Sequence, residues 1–225
     1  MAHTVVVVDI DGTLVDSNYH HVFAWSEAFA AFHRQPPVWQ IHRTIGMGGD
    51  QLVEALTDAE FEQRHGDAVR QAHTDAFARL IDQVRPLPGA RDFLSALGRM
   101  GATLVLASSA DKDEVGRYIE LLDACAVIDG WTTADDVSHT KPDPEPIRAA
   151  LTEAGGTPST AVLIGDSVWD VQAGRRAGVA VIGVRTGGYG AGELLDAGAE
   201  AVFDVLGDIE FTGDGSGALT VPCLS

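Results

Sequence analysis

The chain has 225 residues, 45% of them hydrophobic and 21% charged, an ordinary mix for a folded protein with a sizeable core, which excludes a disordered chain. Acids outnumber bases 33 to 15, a formal charge of −18, and a surface this acidic repels the polyanionic backbone of a nucleic acid. No apolar run approaches the roughly 20 residues of a membrane span, and Cys125 and Cys223 lie too far apart for metal-ligand spacing or a disulfide framework, so the expected setting is a reducing cytoplasm, with no membrane and no nucleic acid as partner.

In chain order, the first element is a strand at Val5–Val8. No basic residues precede this valine run and acids follow at once, so it reads as a buried strand rather than a secretory signal. From Asn18 to about Arg85 there is no strand pattern. The amphipathic stretches His21–His33, Gly49–Leu56 and Phe61–Val84 predict a helical insertion, broken by Pro36-Pro37 and closed by Pro86 and Pro88. There follow a helix over Gly89–Met100, a strand at Leu104–Ala107 and a helix over Lys112–Leu122. A further helix begins after Asp143, a suitable N-cap, with Pro144 and Pro146 in its first turn. A strand at Ala161–Ile164, a helix over Val168–Ala177 stopped by Gly178, and a strand at Val179–Val184 complete the pattern. Short aliphatic strands alternating with helices predict an α/β protein with a doubly wound parallel sheet. The expected division is an α/β core from residues 1–16 and 87–206, a helical cap from 17–86, and a tail or hairpin over 207–225.

The chemistry concentrates where strands end, because ligands of open α/β sheets gather beyond the carboxyl ends of the strands. Asp9 and Asp11 follow the valine run directly, and two carboxylates so close repel unless a cation sits between them. A hard divalent ion, Mg²⁺ above all, suits carboxylate, carbonyl and water ligands. An Asp-Gly turn that merely ends a strand is the plain alternative. Ser108 and Ser109 lie between the second strand and a helix N-terminus, a place that suits a phosphate as readily as it suits a capping serine. Lys141 is one of only two lysines and is flanked by Pro142. Asp166 ends the third strand, and Asp170 lies in the first turn of the helix that follows.

Taken in order, Asp9-Ile-Asp-Gly-Thr-Leu, Ser108, Lys141-Pro and Gly165-Asp166-Ser-x-x-Asp170 resemble the four motifs of the haloacid dehalogenase superfamily over roughly residues 4 to 206. The resemblance implies that Asp9 is a nucleophile forming an aspartyl-phosphate, and that Asp11 protonates the leaving alcohol and then activates water. It implies Mg²⁺ held by Asp9, the main-chain carbonyl of Asp11, and Asp166. Ser108, Ser109 and Lys141 would bind the phosphate of a small phosphorylated metabolite, with Asp170 orienting Lys141 or a water on the metal.

Asp11 argues for phosphoryl chemistry over dehalogenation, and residues 18–85 lack the lysine that phosphonoacetaldehyde hydrolases need. The stretch Asp16–Trp25 is similar to β-phosphoglucomutases, whereas Gly46-Met47-Gly48-Gly49 and Gly187-Gly188-Tyr189-Gly190 look like phosphoglycolate-phosphatase-type enzymes. The mutase's basic cap-loop residue is absent unless Arg43 reaches in. A phosphomonoesterase, a monomer or homodimer, is therefore expected, with a phosphomutase and a non-catalytic binding module as alternatives. For specificity the candidates are His21, Gly46, Met47 and Gly48. The plainer reading puts His20 and His21 at a helix start facing solvent, Trp25 in the cap's core, and gives His73 no role.

Overall fold

A computed structural model describes residues 2–213 and 219–220. Its centre is strand β2 (Val5–Val8), whose β-branched valines suit a pleated surface and are buried on both faces. Val6 and Val8 pack into one layer with Leu104, Leu106, Val162 and Ile164. Val5 and Val7 pack into the other with Val105, Leu163 and Val181. That alternation is the period of two expected of a strand covered on both sides. Beyond β1 (Ala2–His3), the other strands are β3 (Thr103–Ala107), β4 (Gly130–Thr132), β5 (Ala161–Gly165), β6 (Ala180–Val184) and β7 (Ala201–Phe203). They form a parallel six-stranded sheet in the order β4-β3-β2-β5-β6-β7, so the α/β fold read from the sequence is the fold observed.

Between β2 and β3 lie four helices, α1 (Asn18–Ala31), α2 (Val38–Thr44), α3 (Gly49–Leu56) and α4 (Ala59–Phe77), with a core of their own built on Val22, Trp25, Phe29, Ile41, Leu52 and Val69. Helix α4 starts where the Asp58 side chain accepts from Phe61 N, 2.8 Å. It ends at Phe77, short of the expected Val84, because i→i+3 hydrogen bonds from Arg79 and Leu80 tighten the chain into a turn. The chain then returns alongside its own exit path: Asp16 N donates to Arg85 O and Leu87 N to Leu14 O, both 2.9 Å.

The remaining helices are α5 (Ala90–Arg99), α6 (Lys112–Leu121), α7 (Glu145–Glu153), α8 (Val168–Ala177) and α9 (Ala191–Ala197). Helix α7 has Pro144 at its N-cap position, yet Asp143 does the capping, accepting from Glu145 N at 2.9 Å. Gly178 closes α8 with a left-handed φ of +79°, a conformation glycine adopts without a Cβ clash. Near the end of the chain, β8 (Thr212–Gly213) pairs antiparallel with β9 (Leu219–Thr220), which in turn pairs with β1. Cys223 lies outside the described residues. Among the described residues no helix is long and apolar enough to cross a membrane.

Candidate active site

Because β2 sits between β3 and β5 with Val8 level with Leu106 and Ile164, the residues following the three strands come out side by side. Asp9, Ser108 and Asp166 are thus brought together, all buried. Lys141, only 1% exposed, reaches in from the loop before α7. Its ammonium donates to Asp9 Oδ1 and to Ala107 O (3.0 Å) and pairs with Asp170 Oδ1 at 2.8 Å. Asp170 is fixed from its other oxygen, which accepts from Ser167 N (3.1 Å) in the capping box of α8.

Asp166 accepts from Thr13 Oγ1 at 3.0 Å and from Asn18 Nδ2 at 3.1 Å. Thr13 Oγ1 also lies 3.2 Å from Asp9 Oδ2. A hydroxyl has one proton, so it cannot satisfy both carboxylates. Asp9, Asp166 and Asp170 each bring an oxygen within 4.8 Å of the others, against the single charge of Lys141. The imbalance shows in their acidities. Burial, then the charge of Asp170, outweigh Lys141 and push Asp9 up to about 7. Burial and the charge of Asp9 raise Asp166 well above the usual carboxylate range. Lys141 goes the other way: burial opposes its charge, but Asp170 and Asp9 outweigh burial and raise its pKa. A pocket of hard oxygen donors with surplus negative charge is one that a divalent cation such as Mg²⁺ fits.

The carboxylate of Asp11 belongs to a different group. It accepts from Ser17 Oγ (2.5 Å), lies 3.2 Å from His21 Nε2, and has Ser108 Oγ 3.3 Å from its second oxygen. Only its main-chain carbonyl was expected among the metal's ligands. His21 does not face solvent, as the plainer reading had it. It is 8% exposed, stacks on Phe77 at 3.9 Å between centroids, and has Glu114 Oε1 as well as Asp11 Oδ1 at 3.2 Å. Burial works against its charge, yet Glu114 and Asp11 more than compensate and raise it to about 10. Burial likewise opposes ionisation of Asp11, but His21 wins and holds that carboxyl below its ordinary value.

Above these groups is a cavity of about 290 Å³, roofed by the helical insertion. Of the specificity candidates, His21, Gly46 and Met47 line it, while Gly48 packs against Thr140 instead. Ser109 also lines it and approaches Gly46 O at 3.4 Å, so it meets the cap loop. Trp25 belongs to the cap core and shows one side to the cavity. Two residues that the sequence did not single out stand here. His73, stacked on Trp25 at 4.0 Å, has its Nε2 3.2 Å from His21 Nδ1. Glu114 projects from the first turn of α6, where Asp111-x-x-Glu114 reads as an ordinary capping pattern. Arg43 stays outside the cavity: it pairs with Glu193 and lies 4.0 Å above the Tyr189 ring.

The roof is fastened to the core. Asp50 accepts from Thr140 N (3.2 Å) and from its hydroxyl, while Trp169 Nε1 and Tyr189 Oη donate to Arg43 O at 3.1 and 2.7 Å. Thr140 immediately precedes Lys141, so the cap's grip falls next to the buried ammonium.

Comparison with known proteins finds relatives over most of the chain. A model of haloacid dehalogenase-like hydrolases matches residues 3–178. A phosphoglycolate phosphatase from Cupriavidus necator is 32% identical over 210 residues, 90% of each chain. A validoxylamine A 7'-phosphate phosphatase from Streptomyces hygroscopicus subsp. limoneus is 31% identical over 208 residues, 91% of this chain and 92% of that one. Among solved structures, a hydrolase from Pseudomonas syringae superposes with a TM-score of 0.86 at 35% identity, covering 92% of this chain and 95% of the other. With a family model matched over most of its length and relatives of about 30% identity named as phosphatases, the chain belongs to the haloacid dehalogenase-like hydrolases and is an enzyme of the phosphatase type.

Proposed function

We propose that the protein is a Mg²⁺-dependent phosphomonoesterase that hydrolyses a small phosphorylated metabolite through an aspartyl-phosphate on Asp9. The observation that carries this reading is Asp9 itself, buried at the floor of a cavity roofed by the helical insertion, with Lys141 on one of its oxygens. A carboxylate oxygen of Asp9 attacks phosphorus as the ester P–O bond breaks, and a proton goes to the leaving alkoxide from Asp11. That proton comes from His21, charged and 3.2 Å from Asp11, and passes through Asp11, which is a carboxylate again once the ester bond has broken. Water then attacks the phosphorus of the aspartyl-phosphate, Asp11 takes its proton, and the P–O bond to Asp9 breaks to release phosphate. Lys141 offsets charge on Asp9 and on the phosphoryl oxygens, Asp170 holds Lys141 in place, and Ser108 and Ser109 donate to the phosphate. Asp9, Asp166 and the carbonyl of Asp11 would hold Mg²⁺, which when bound lets an anionic carboxylate meet an anionic phosphate. The helical roof excludes bulk water during transfer.

The family resemblance alone does not select the leaving group, since one relative is named for phosphoglycolate and another for validoxylamine A 7'-phosphate. Against the mutase alternative stands Arg43, which pairs with Glu193 outside the cavity instead of reaching into it. The test is Mg²⁺-dependent phosphate release from an aryl phosphate, abolished by a chelator and by Asp9→Asn. Full activity in Asp9→Asn overturns the assignment of the nucleophile. Conversion of β-glucose 1-phosphate to glucose 6-phosphate without free phosphate, primed by bisphosphate, would establish the mutase instead. Binding of a partner with no turnover would establish the non-catalytic module.

A further inference from the structure

The wall of the cavity beyond Asp9 and Asp11 is acidic and lacks a free cation among the described residues. Asp50, Asp111 and Glu114 all face it. Asp50 is satisfied by Thr140. Asp111 gives one oxygen to Glu114 N (2.9 Å), and its other oxygen has no hydrogen bond within the described residues. Glu114 Oε1 is buried and has only the His21 ring beside it.

The one guanidinium in the wall, that of Arg70, is already spent. Its Nη1 donates to Gly49 O (3.0 Å) and Glu62 Oε1 (2.8 Å), and its Nη2 donates to Asp67 Oδ1 (2.7 Å). Lys141 is consumed by Asp9 and Asp170, and Lys112 is exposed outside the wall. The charged His21 is already shared between Asp11 and Glu114, so a carboxylate or second phosphate on the leaving group would be desolvated beside a wall whose cations are all paired and whose Asp50 and Asp111 leave an excess of negative charge. Hydroxyl groups meet the opposite situation. Carboxylates accept O–H bonds strongly, and Trp25 and His73, stacked on each other at 4.0 Å, add ring atoms to the wall against which C–H groups can pack.

We propose that the leaving group is a hydroxylated, sugar- or polyol-like skeleton with no second acid, and that Glu114 and Asp111 enforce this choice. The proposal rests on the phosphatase reading above and narrows it: phosphoglycolate, despite the names of several relatives, is a poor substrate.

The experiment compares matched esters differing only in the acid: 2-hydroxyethyl phosphate against 2-phosphoglycolate, and glucitol 6-phosphate against 6-phosphogluconate. The neutral member of each pair is expected to show at least tenfold higher kcat/KM, carried mainly by KM. Glu114→Gln and Asp111→Asn, the latter keeping its capping ability, should each shrink that ratio at least threefold. The ratio is taken within one protein, so a general loss of rate in a variant leaves it readable. Equal or better turnover of the acidic esters, or ratios unmoved in both variants, overturns the proposal while leaving the phosphatase reading intact. Failure to release phosphate from any ester, aryl phosphate included, overturns both.

Discussion

Two substitutions that the proposed mechanism expects to abolish turnover should move stability in opposite directions. Asp9 is buried beside two other acids, and its pKa rises from 3.8 to about 7 in the folded protein. A carboxyl with a raised folded value contributes most below its unfolded pKa and loses that contribution as pH climbs through the folded one. The raised pKa of Asp9 therefore costs the metal-free fold roughly 4 kcal/mol at pH 8 and about half as much at pH 5.5, where folding instead binds a proton. Asp9→Asn removes the charge while Lys141 keeps Asp170 at 2.8 Å. The variant should be more stable than the parent by about 1 to 4 kcal/mol at pH 8, with a smaller gain at pH 5.5. Lys141→Met does the reverse, leaving Asp9 and Asp170 buried without their cation at a cost of about 3 to 5 kcal/mol. Urea unfolding in a chelator at the two pH values measures both effects. Destabilisation of Asp9→Asn by more than about 1 kcal/mol at pH 8 would refute the claim that surplus negative charge dominates this site.

His21 supplies a second pH dependence of known sign. Its folded pKa of about 10 exceeds the ordinary 6.5, so its stabilisation is complete below 6.5 and lost as pH rises towards 10. Between pH 7 and pH 10 the parent should lose stability faster than His21→Asn, as thermal melts will read. Gly46 has a φ of +99°, and a side chain there would meet Ser167 Oγ at 2.6 Å. Gly46→Ala should hold the roof off the core, lowering kcat/KM roughly tenfold, about 1.4 kcal/mol in transition-state terms. An unchanged steady-state value would show that closure does not pass through this loop.

The residues explain which parts of the molecule could be read in advance. Strands β2, β3, β5 and β6 are buried on both faces and so carry dense aliphatic runs. Strands β4 and β7 have three residues each, too few for any period to emerge, and the short helices α2 and α9 were missed for the same reason. The loop residues Asp9, Lys141 and Asp166 were legible because each follows or flanks a recognisable strand or helix start. His73 and Glu114 were not, since their significance arises only when α1, α4 and α6 pack around His21. Glu114 was also disguised, because an acid three residues after Asp111 is what a helix start requires in any case.

The two chain crossings between sheet and roof lie against each other and are stitched by main-chain groups alone: Leu14 with Leu87, and Asp16 with Arg85. Bonds of that kind carry no side-chain identity. An exchangeable lid follows from such a joint, for a foreign helical block spliced between His21 and Arg85 keeps the contacts of Ser17, Asn18 and His21 with Asp11 and Asp166 and would find the same backbone partners waiting. Evolution could thus vary the chamber above an unchanged reacting floor, and chimaeras cut at those two points offer a route to new substrates.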